Sequence, residues 1–361
     1  MNKGEVPRPV TVQRLDDEFL SEDVDLLELS PLKPLVPKLL FRNQTILFVG
    51  RQKTGKSRFL QQLSICLGNG LPFLNFPVRD PIRVLYVDLE NRKREIVKRM
   101  NMMFENLLEK RNITFYAPDS FKNEIDVMSS KGLKTLKLLI ERNNPELVIL
   151  DPFRLLFSLK GDENNAQHVL TALQNLNSLR EFFPDITFII AHHLRKAQVV
   201  GKSQGIQLKT NPQIWIEQAS GHGALTAHTD MTLGLEREYS TSGESDLVYM
   251  GGVSRGSTVP LLILEDRADM TFSQAPKERY LRGFFGGQTW PCFQRMQELK
   301  AFTFDQLVAM DEFDQRAIRQ TLSIGIRLRL LDSVYVLKKI NYMISANGSR
   351  SRDGADEGAD L

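Results

Sequence analysis

The sequence predicts an α/β fold in which a mostly parallel central sheet is flanked by helices. Two observations carry this. Short apolar runs, TILFVG (Thr45–Gly50), RVLYVD (Arg83–Asp88), NITFYA (Asn112–Ala117), ELVILD (Glu146–Asp151) and ITFIIAHH (Ile186–His193), recur along the chain. Helical stretches stand between them, as parallel strands joined by crossover helices require. The first run leads directly into a Gly/Lys-rich turn and the amphipathic SRFLQQLSICL, which reads as strand, loop and helix in immediate succession.

Taken in order, residues 1–30 are acidic, proline-containing and weakly periodic, and read as an N-terminal arm. Residues 31–275 hold the core. Its helices are expected in SRFLQQLSICL, NRKREIVKRMNMMFENLL, LKTLKLLIERN and HVLTALQNLNSLREFF. Residues 194–218 are polar, with Lys196, Lys202 and Lys209 spread through them; a loop of this length inside a domain is usually functional or disordered. DMTLGLER, SDLVYMGGVSR and PLLILE supply further strands. Residues 276–345 differ: FTFDQLVAM, DQRAIRQTLSIGIR and LRLLDSVYVL form a helix, helix, strand series resembling a small winged-helix-like α+β domain. Its second helix, about Asp314 to Arg327, carries Arg316, Arg319 and Arg327 as candidate DNA contacts. Residues 346–361 are polar and Gly/Asp-rich, and are expected to be disordered.

Composition narrows the function classes. The net charge of +3 is too small to coat nucleic acid wholesale, so any polynucleotide contact must come from local basic loops. No apolar run approaches the ~18 residues that span a bilayer, and no membrane partner is expected. The opening MNKGEVPRPV lacks a signal-peptide stretch, which points to the cytoplasm. Cys66 and Cys292 have no metal-type spacing and read as packing residues.

The most specific motif is G-x-x-x-x-G-K-S, filled by Gly50, Arg51, Gln52, Lys53, Thr54, Gly55, Lys56 and Ser57, with Arg58 following. Its glycines let backbone amides turn inward around an anion, and the helix that follows points its positive end at the phosphates. Lys56 is placed to reach the β- and γ-phosphates of ATP, and the Ser57 hydroxyl to ligate Mg²⁺. A metal-side carboxylate should end a later apolar strand, since carboxyl ends of strands face the nucleotide crevice. ELVILD supplies Asp151.

Hydrolysis also needs a group that takes a proton from the attacking water. The residue after Asp151 is Pro152, so the base must come from elsewhere. RVLYVDLE offers Glu90 just past its strand, expected on the strand beside that of Lys56, with Asp88 as the rival on the same side. His192 and His193 close ITFIIAHH; His192 is the first candidate for a γ-phosphate sensor.

In order, GRQKTGKS, LYVDLEN, LVILDPF, GDEN, AHHLRK and SGHGALTAHTDMTLGLER, together with LGNGLPFLNFPV, resemble the RepA-type branch of RecA-like P-loop ATPases over about residues 31–275. That branch includes hexameric replicative helicases of plasmids. His222, His228 and the long insert at 197–218 depart from its pattern. The resemblance implies a homo-oligomeric ring, a hexamer, with active sites at subunit interfaces. It also implies single-stranded DNA in a central channel and replication or element-encoded partner proteins. A neighbour would supply an arginine finger, for which Arg255 in GGVSRGSTVP is the matching residue and Arg237 a second candidate. Loops from Lys160 to Asn165 and from Arg195 to Gly221 would line the channel. Lys160, Arg195, Lys196 and Lys202 would follow the phosphate backbone, and Trp215 is the aromatic available for stacking. Two other readings fit the same motifs: an ATPase that loads or remodels proteins on DNA without unwinding, and a KaiC-like nucleotide-gated oligomeric regulator.

Overall fold

A computed structural model describes residues 33–104, 112–117, 125–156, 166–194, 207–219, 226, 228–240, 243–255, 259–328, 330–336 and 339–344. The expected arm and tail lie outside these residues, as do Lys160, Arg195, Lys196, Lys202 and His222.

A small antiparallel pair, β1 (Pro34–Val36) and β2 (Leu40–Phe41), precedes the core. The core then runs β3 (Thr45–Gly50), α1 (Lys56–Asn69), β4 (Val84–Asp88), α2 (Lys93–Met103), β5 (Ile113–Tyr116), α3 (Ser130–Asn143) and β6 (Leu147–Asp151). It continues with α4 (Ala166–Glu181), β7 (Thr187–His193), α5 (Pro212–Ala219), β8 (Met231–Ser240), β9 (Gly243–Ser254), β10 (Leu262–Asp266) and β11 (Phe272–Gln274). The nine core strands from β3 to β11 form one sheet in the order β11-β10-β9-β8-β3-β7-β6-β4-β5. From β8 to β5 every pairing is parallel, and β9, β10 and β11 continue the edge antiparallel. The predicted α/β class and its mostly parallel sheet are therefore present.

The parallel strands are apolar at nearly every position because both faces are covered. On one face Ile46, Phe48, Val84, Tyr86, Leu147, Ile149, Ile189 and Ala191 pack with Phe59, Leu60 and Leu63 of α1. On the other, Leu47, Val49, Leu85, Val87, Val148, Leu150, Phe188 and Ile190 pack with α3 and α4 through Leu136, Ile140, Val169 and Leu173. Phe59 stacks on Phe48 with ring centroids 5.1 Å apart, pinning α1 to β3; truncating such a ring costs about 3–5 kcal/mol. Side chains alternate along a strand. Asp88, Asp151 and His193 therefore continue the series facing α1, and His192 continues the opposite one.

Two features depart from the expected elements. The polar stretch before residue 218 contains α5, where the Asn211 side chain accepts from Ile214 N at 3.1 Å and Trp215 and Ile216 are buried. Two adjacent apolar residues in so short a helix give no readable period. The strand that Glu90 follows is also not beside the one that leads to Lys56, because β7 and β6 stand between β3 and β4.

Beyond the sheet come α6 (Lys277–Phe284), α7 (Thr289–Leu299), β12 (Ala301–Thr303), α8 (Phe304–Ala309), α9 (Gln315–Arg327), β13 (Leu331–Val336) and β14 (Lys339–Ile344). The last strands form an antiparallel sheet in the order β12-β14-β13. They share a core of Phe285, Cys292, Phe293, Met296, Phe302, Leu307, Ile318 and Leu322. Thr303 and Gln306 close a reciprocal capping box on α8, and Asp314 caps α9. Cys66 and Cys292 are buried and unbridged. Among the described residues no helix is long and apolar enough to cross a membrane.

Candidate active site

The turn after β3 demands glycine at two positions. A Cβ on Gly50 would lie 2.6 Å from the Leu235 carbonyl oxygen and 3.0 Å from Thr54 Oγ1. Gly55 takes φ +94°, and a Cβ there would stand 2.7 Å from Phe272 Cζ. Thr54 Oγ1 donates to the Arg51 carbonyl at 2.9 Å and tightens the loop. The first N–H groups of α1, which intrahelical carbonyls cannot reach, open on this turn and favour an anion.

Lys56 is 4% exposed. Its Nζ donates to the carbonyls of Gly50 at 2.7 Å and Arg51 at 2.8 Å. Burial lowers its pKa to about 8, against the pull of Asp151 and Glu90. A buried ammonium held by carbonyl dipoles is under-compensated, and an anion at this turn would supply negative charge.

Asp151 ends β6 and is 1% exposed. The Tyr86 hydroxyl donates to its Oδ2 at 2.6 Å, and the Ser57 hydroxyl is also hydrogen-bonded to it. Burial raises its pKa while those two donors oppose the rise. Burial and the adjacent Asp151 push the Tyr86 hydroxyl well above its ordinary value, so Tyr86 remains a donor. Among the described residues no cluster of three or more His, Cys, Asp or Glu could hold a metal alone. The hydrogen-bonded Ser57–Asp151 pair instead offers hard oxygens of the kind that Mg²⁺ takes when phosphates and waters complete its octahedron. The donor set fits.

Asp88 pairs with Asp151 in the β4–β6 register and is wholly buried. Burial and the Asp151 charge raise its pKa to about 6, against hydrogen bonds from Asn91 and the Glu90 backbone. Its oxygens are occupied by those donors, whereas the Glu90 side chain is 49% exposed. His193 Nε2 lies 3.9 Å from Glu90 Oε2. That imidazole holds the Glu90 carboxyl below its ordinary pKa, with Arg154 and Lys56 adding to it and burial opposing. The Glu90 carboxylate is ionised and open to an approaching water, although its lowered pKa makes it a weaker base than a free carboxylate; the oxygens of Asp88 are already occupied. Glu90 reaches the phosphate side past the end of β6, where His193 of β7 pairs with Gly50 of β3.

Of the two histidines, the structure brings His193 to the carboxylate. His192 is 8% exposed and meets the Phe153 ring edge-on, centroids 5.9 Å apart. Which of them faces α1 is set by register between strands distant in sequence, so no local pattern could reveal it. Tyr86 and Asn91 were also missed. The spacings Tyr-x-Asp and Asp-x-x-Asn in LYVDLEN were the available signals.

The arginines separate clearly. Arg255 is exposed, and its backbone N donates to the Asp230 carbonyl at 3.1 Å. Gly50, Leu235 and Met250 lie level across β3, β8 and β9. Arg255 is five residues further along, so at a strand rise of ~3.4 Å it lies about 17 Å along the sheet from the phosphate turn of its own subunit. The phosphate turn of its own chain is therefore beyond the reach of its side chain. Arg237 is 9% exposed and donates to Asp266 and, at 3.1 Å, to the Ser245 carbonyl; it is fixed inside its own subunit. Arg58 makes a two-pronged contact with the same Asp266, at 2.8 and 2.6 Å, and lies over the Phe272 ring. Its side chain thus anchors the β10–β11 hairpin to α1.

Trp215 does not stand in solvent as a stacking platform. It is 4% exposed, rests where a Cβ on Gly234 would come within 2.5 Å of its ring, and donates from Nε1 to Glu236 at 2.9 Å. Leu208 N donates to the same carboxylate at 2.7 Å, and Lys209 pairs with Glu238 at 2.8 Å.

A family model described as an AAA domain matches residues 8–199, more than half of the chain. No curated protein matches it. Among solved structures, a KaiC-like protein from the hyperthermophilic archaeon Pyrococcus horikoshii OT3 is similar at 14% sequence identity and a TM-score of 0.48, over 68% of this chain and 100% of that one.

Proposed function

On the premise that this chain belongs to the AAA-domain family, we propose that it is an ATP-hydrolysing RecA-like ring motor acting on DNA, a cytoplasmic replicative helicase of RepA type. The reading is carried by one observation: Lys56, the Ser57–Asp151 pair and the Glu90–His193 pair meet at the carboxyl ends of the parallel strands, where open α/β sheets bind nucleotides. The motif series around them supports the RepA-type assignment, and with it a hexamer and a single strand in the channel.

In this mechanism the triphosphate takes over the Lys56 ammonium from the Gly50 and Arg51 carbonyls. Ser57 and Asp151 would hold Mg²⁺, which would supply charge to offset that developing on the phosphoryl oxygens. Tyr86 keeps Asp151 aimed. Glu90 accepts a proton from the attacking water as its oxygen bonds to the γ-phosphorus and the β–γ bridge breaks. Arg255 of a neighbouring copy lies against the same phosphate and stabilises the charge there. His193 touches Glu90 and ends β7, so loss of the γ-phosphate is passed to the end of that strand.

Hydrolysis measured with and without single-stranded DNA, followed by strand displacement on a forked duplex, tests the proposal. Stimulation together with displacement is the expected result. Stimulation without displacement favours the ATPase that loads or remodels proteins, and no stimulation favours the nucleotide-gated regulator.

A further inference from the structure

Asp88 takes no step in this mechanism, yet it is buried completely, at 0% exposed. A carboxylate in such a place is costly unless its oxygens are well supplied with donors. The donors come from the residues just after it. Glu90 N reaches Asp88 Oδ1 at 3.1 Å and Asn91 N reaches it at 2.7 Å. Asn91 Nδ2 lies 3.2 Å from Oδ1 and 3.1 Å from Oδ2. Asn91 is itself oriented from outside the turn, because Arg99 of α2 donates to its Oδ1 at 3.1 Å. The amide must then present its NH₂ to Asp88, since the reverse orientation would set oxygen against carboxylate and NH₂ against guanidinium.

The consequence falls on Glu90. Its backbone N is tied to Asp88 from one side, and Leu89 N is tied to the Asp151 carbonyl at 2.8 Å from the other. The side chain leaves this closed turn toward His193. We propose that Asp88 is a positioning residue that aims Glu90, with Asn91 and Arg99 extending the hold to α2. The proposal rests on Glu90 being the base. Misplacing a reacting group by about 1 Å can cost ~100-fold in rate, and hydrogen bonds of this kind keep a supporting turn within that tolerance.

The test uses the full chain, with ATP hydrolysis followed in single turnovers and nucleotide affinity measured with a fluorescent ATP analogue. Asp88→Asn keeps an oxygen for the backbone donors and sets an NH₂ against the Asn91 NH₂ at the 3.1 Å contact, and Asn91→Asp faces Asp88 with a second carboxylate. Each is expected to slow hydrolysis about 100-fold with nucleotide affinity within about twofold of wild type. Combining them reverses the polarity of the 3.1 Å contact between the two side chains, keeps an oxygen at residue 88 for the two backbone N–H groups and leaves Arg99 opposite a carboxylate. The double variant should recover to within about tenfold of wild type. A residue needed simply for its charge beside Asp151 would show no such rescue. Asn91→Ala buries no new charge and is expected to lose about tenfold, which keeps the test decisive should Asp88→Asn not fold.

A double variant no faster than the singles would overturn the proposal, and so would full-rate hydrolysis by Asp88→Asn while Glu90→Gln is slow. Full-rate hydrolysis by Glu90→Gln would remove the base assignment and this proposal with it, and is distinguishable because it needs no substitution at Asp88.

Discussion

Replacing Trp215 separates a buried anchor from a solvent-facing stacking platform. The indole is 4% exposed, sits on β8 at Gly234 and donates to Glu236 at 2.9 Å. Trp215→Ala removes a buried ring, worth about 3–5 kcal/mol. Trp215→Phe retains most of the apolar contact and removes one hydrogen bond to a carboxylate, worth about 1.5–3 kcal/mol. Burial already raises the Glu236 pKa against the donors Leu208 and Trp215, so losing a donor leaves that carboxylate worse compensated. Urea unfolding, followed by far-UV circular dichroism and by the fluorescence of Trp290, should therefore order the proteins as wild type, Trp215→Phe and Trp215→Ala. A base-stacking residue would behave differently: truncation would cost about 1–3 kcal/mol of oligonucleotide binding per stacked base and leave the unfolding midpoint alone. A stability change in Trp215→Ala below about 0.5 kcal/mol, with weakened oligonucleotide binding, would refute the buried anchor.

Three further outcomes are expected. Lys56 has a pKa of about 8 in the folded, nucleotide-free protein against an ordinary 10.5; the unfolded chain therefore binds more protons between these values, and this group makes stability rise with pH across that window. Denaturation at several pH values, compared with Lys56→Met, should show the more positive slope in wild type, because Cys66, Tyr86 and Tyr249, whose raised pKa values act in the opposite direction, are common to both proteins; equal slopes would contradict the burial argument. Asp266→Ala leaves Arg58 and Arg237 without their shared carboxylate and is expected to cost about 3–5 kcal/mol, as breaking a buried pair from one side does; an unchanged melting temperature would count against the Asp266 anchor. Arg255→Ala should slow turnover in the assembled ring, and mixing it with Lys56→Ala subunits should restore part of the activity by pairing intact half-sites. Two normally assembling variants that fail to complement would argue against a shared site.

What could be read from the sequence depended on how local each feature is. The phosphate turn was legible because strand, glycines, Lys56 and Ser57 are contiguous and each has its own reason for being there. The strand-end positions of Asp151 and Glu90 were legible because in each case an apolar run breaks off at a carboxylate. The β7 and β6 insertion between the strands of Lys56 and Glu90 was not, since strand order is set by how crossovers pack and not by any local pattern. His193 rather than His192 reaches Glu90 for the same reason: alternation fixes which residues share a face, but only inter-strand register fixes which face meets α1. The Arg237–Asp266 and Trp215–Glu236 pairs join elements 29 and 21 residues apart, and a lone buried Trp in an eight-residue helix leaves no periodic trace.

The proposed hydrolysis turns on the Glu90 carboxylate drawing a proton from water at a triphosphate held by Lys56. Single-turnover hydrolysis by Glu90→Gln tests this most directly, with bound nucleotide measured in the same samples. ATP affinity close to wild type, with a hydrolysis rate lower by about 10²–10⁴-fold, is the predicted result. Hydrolysis at the wild-type rate would contradict the account and leave a nucleotide-binding α/β domain whose chemistry lies with another residue.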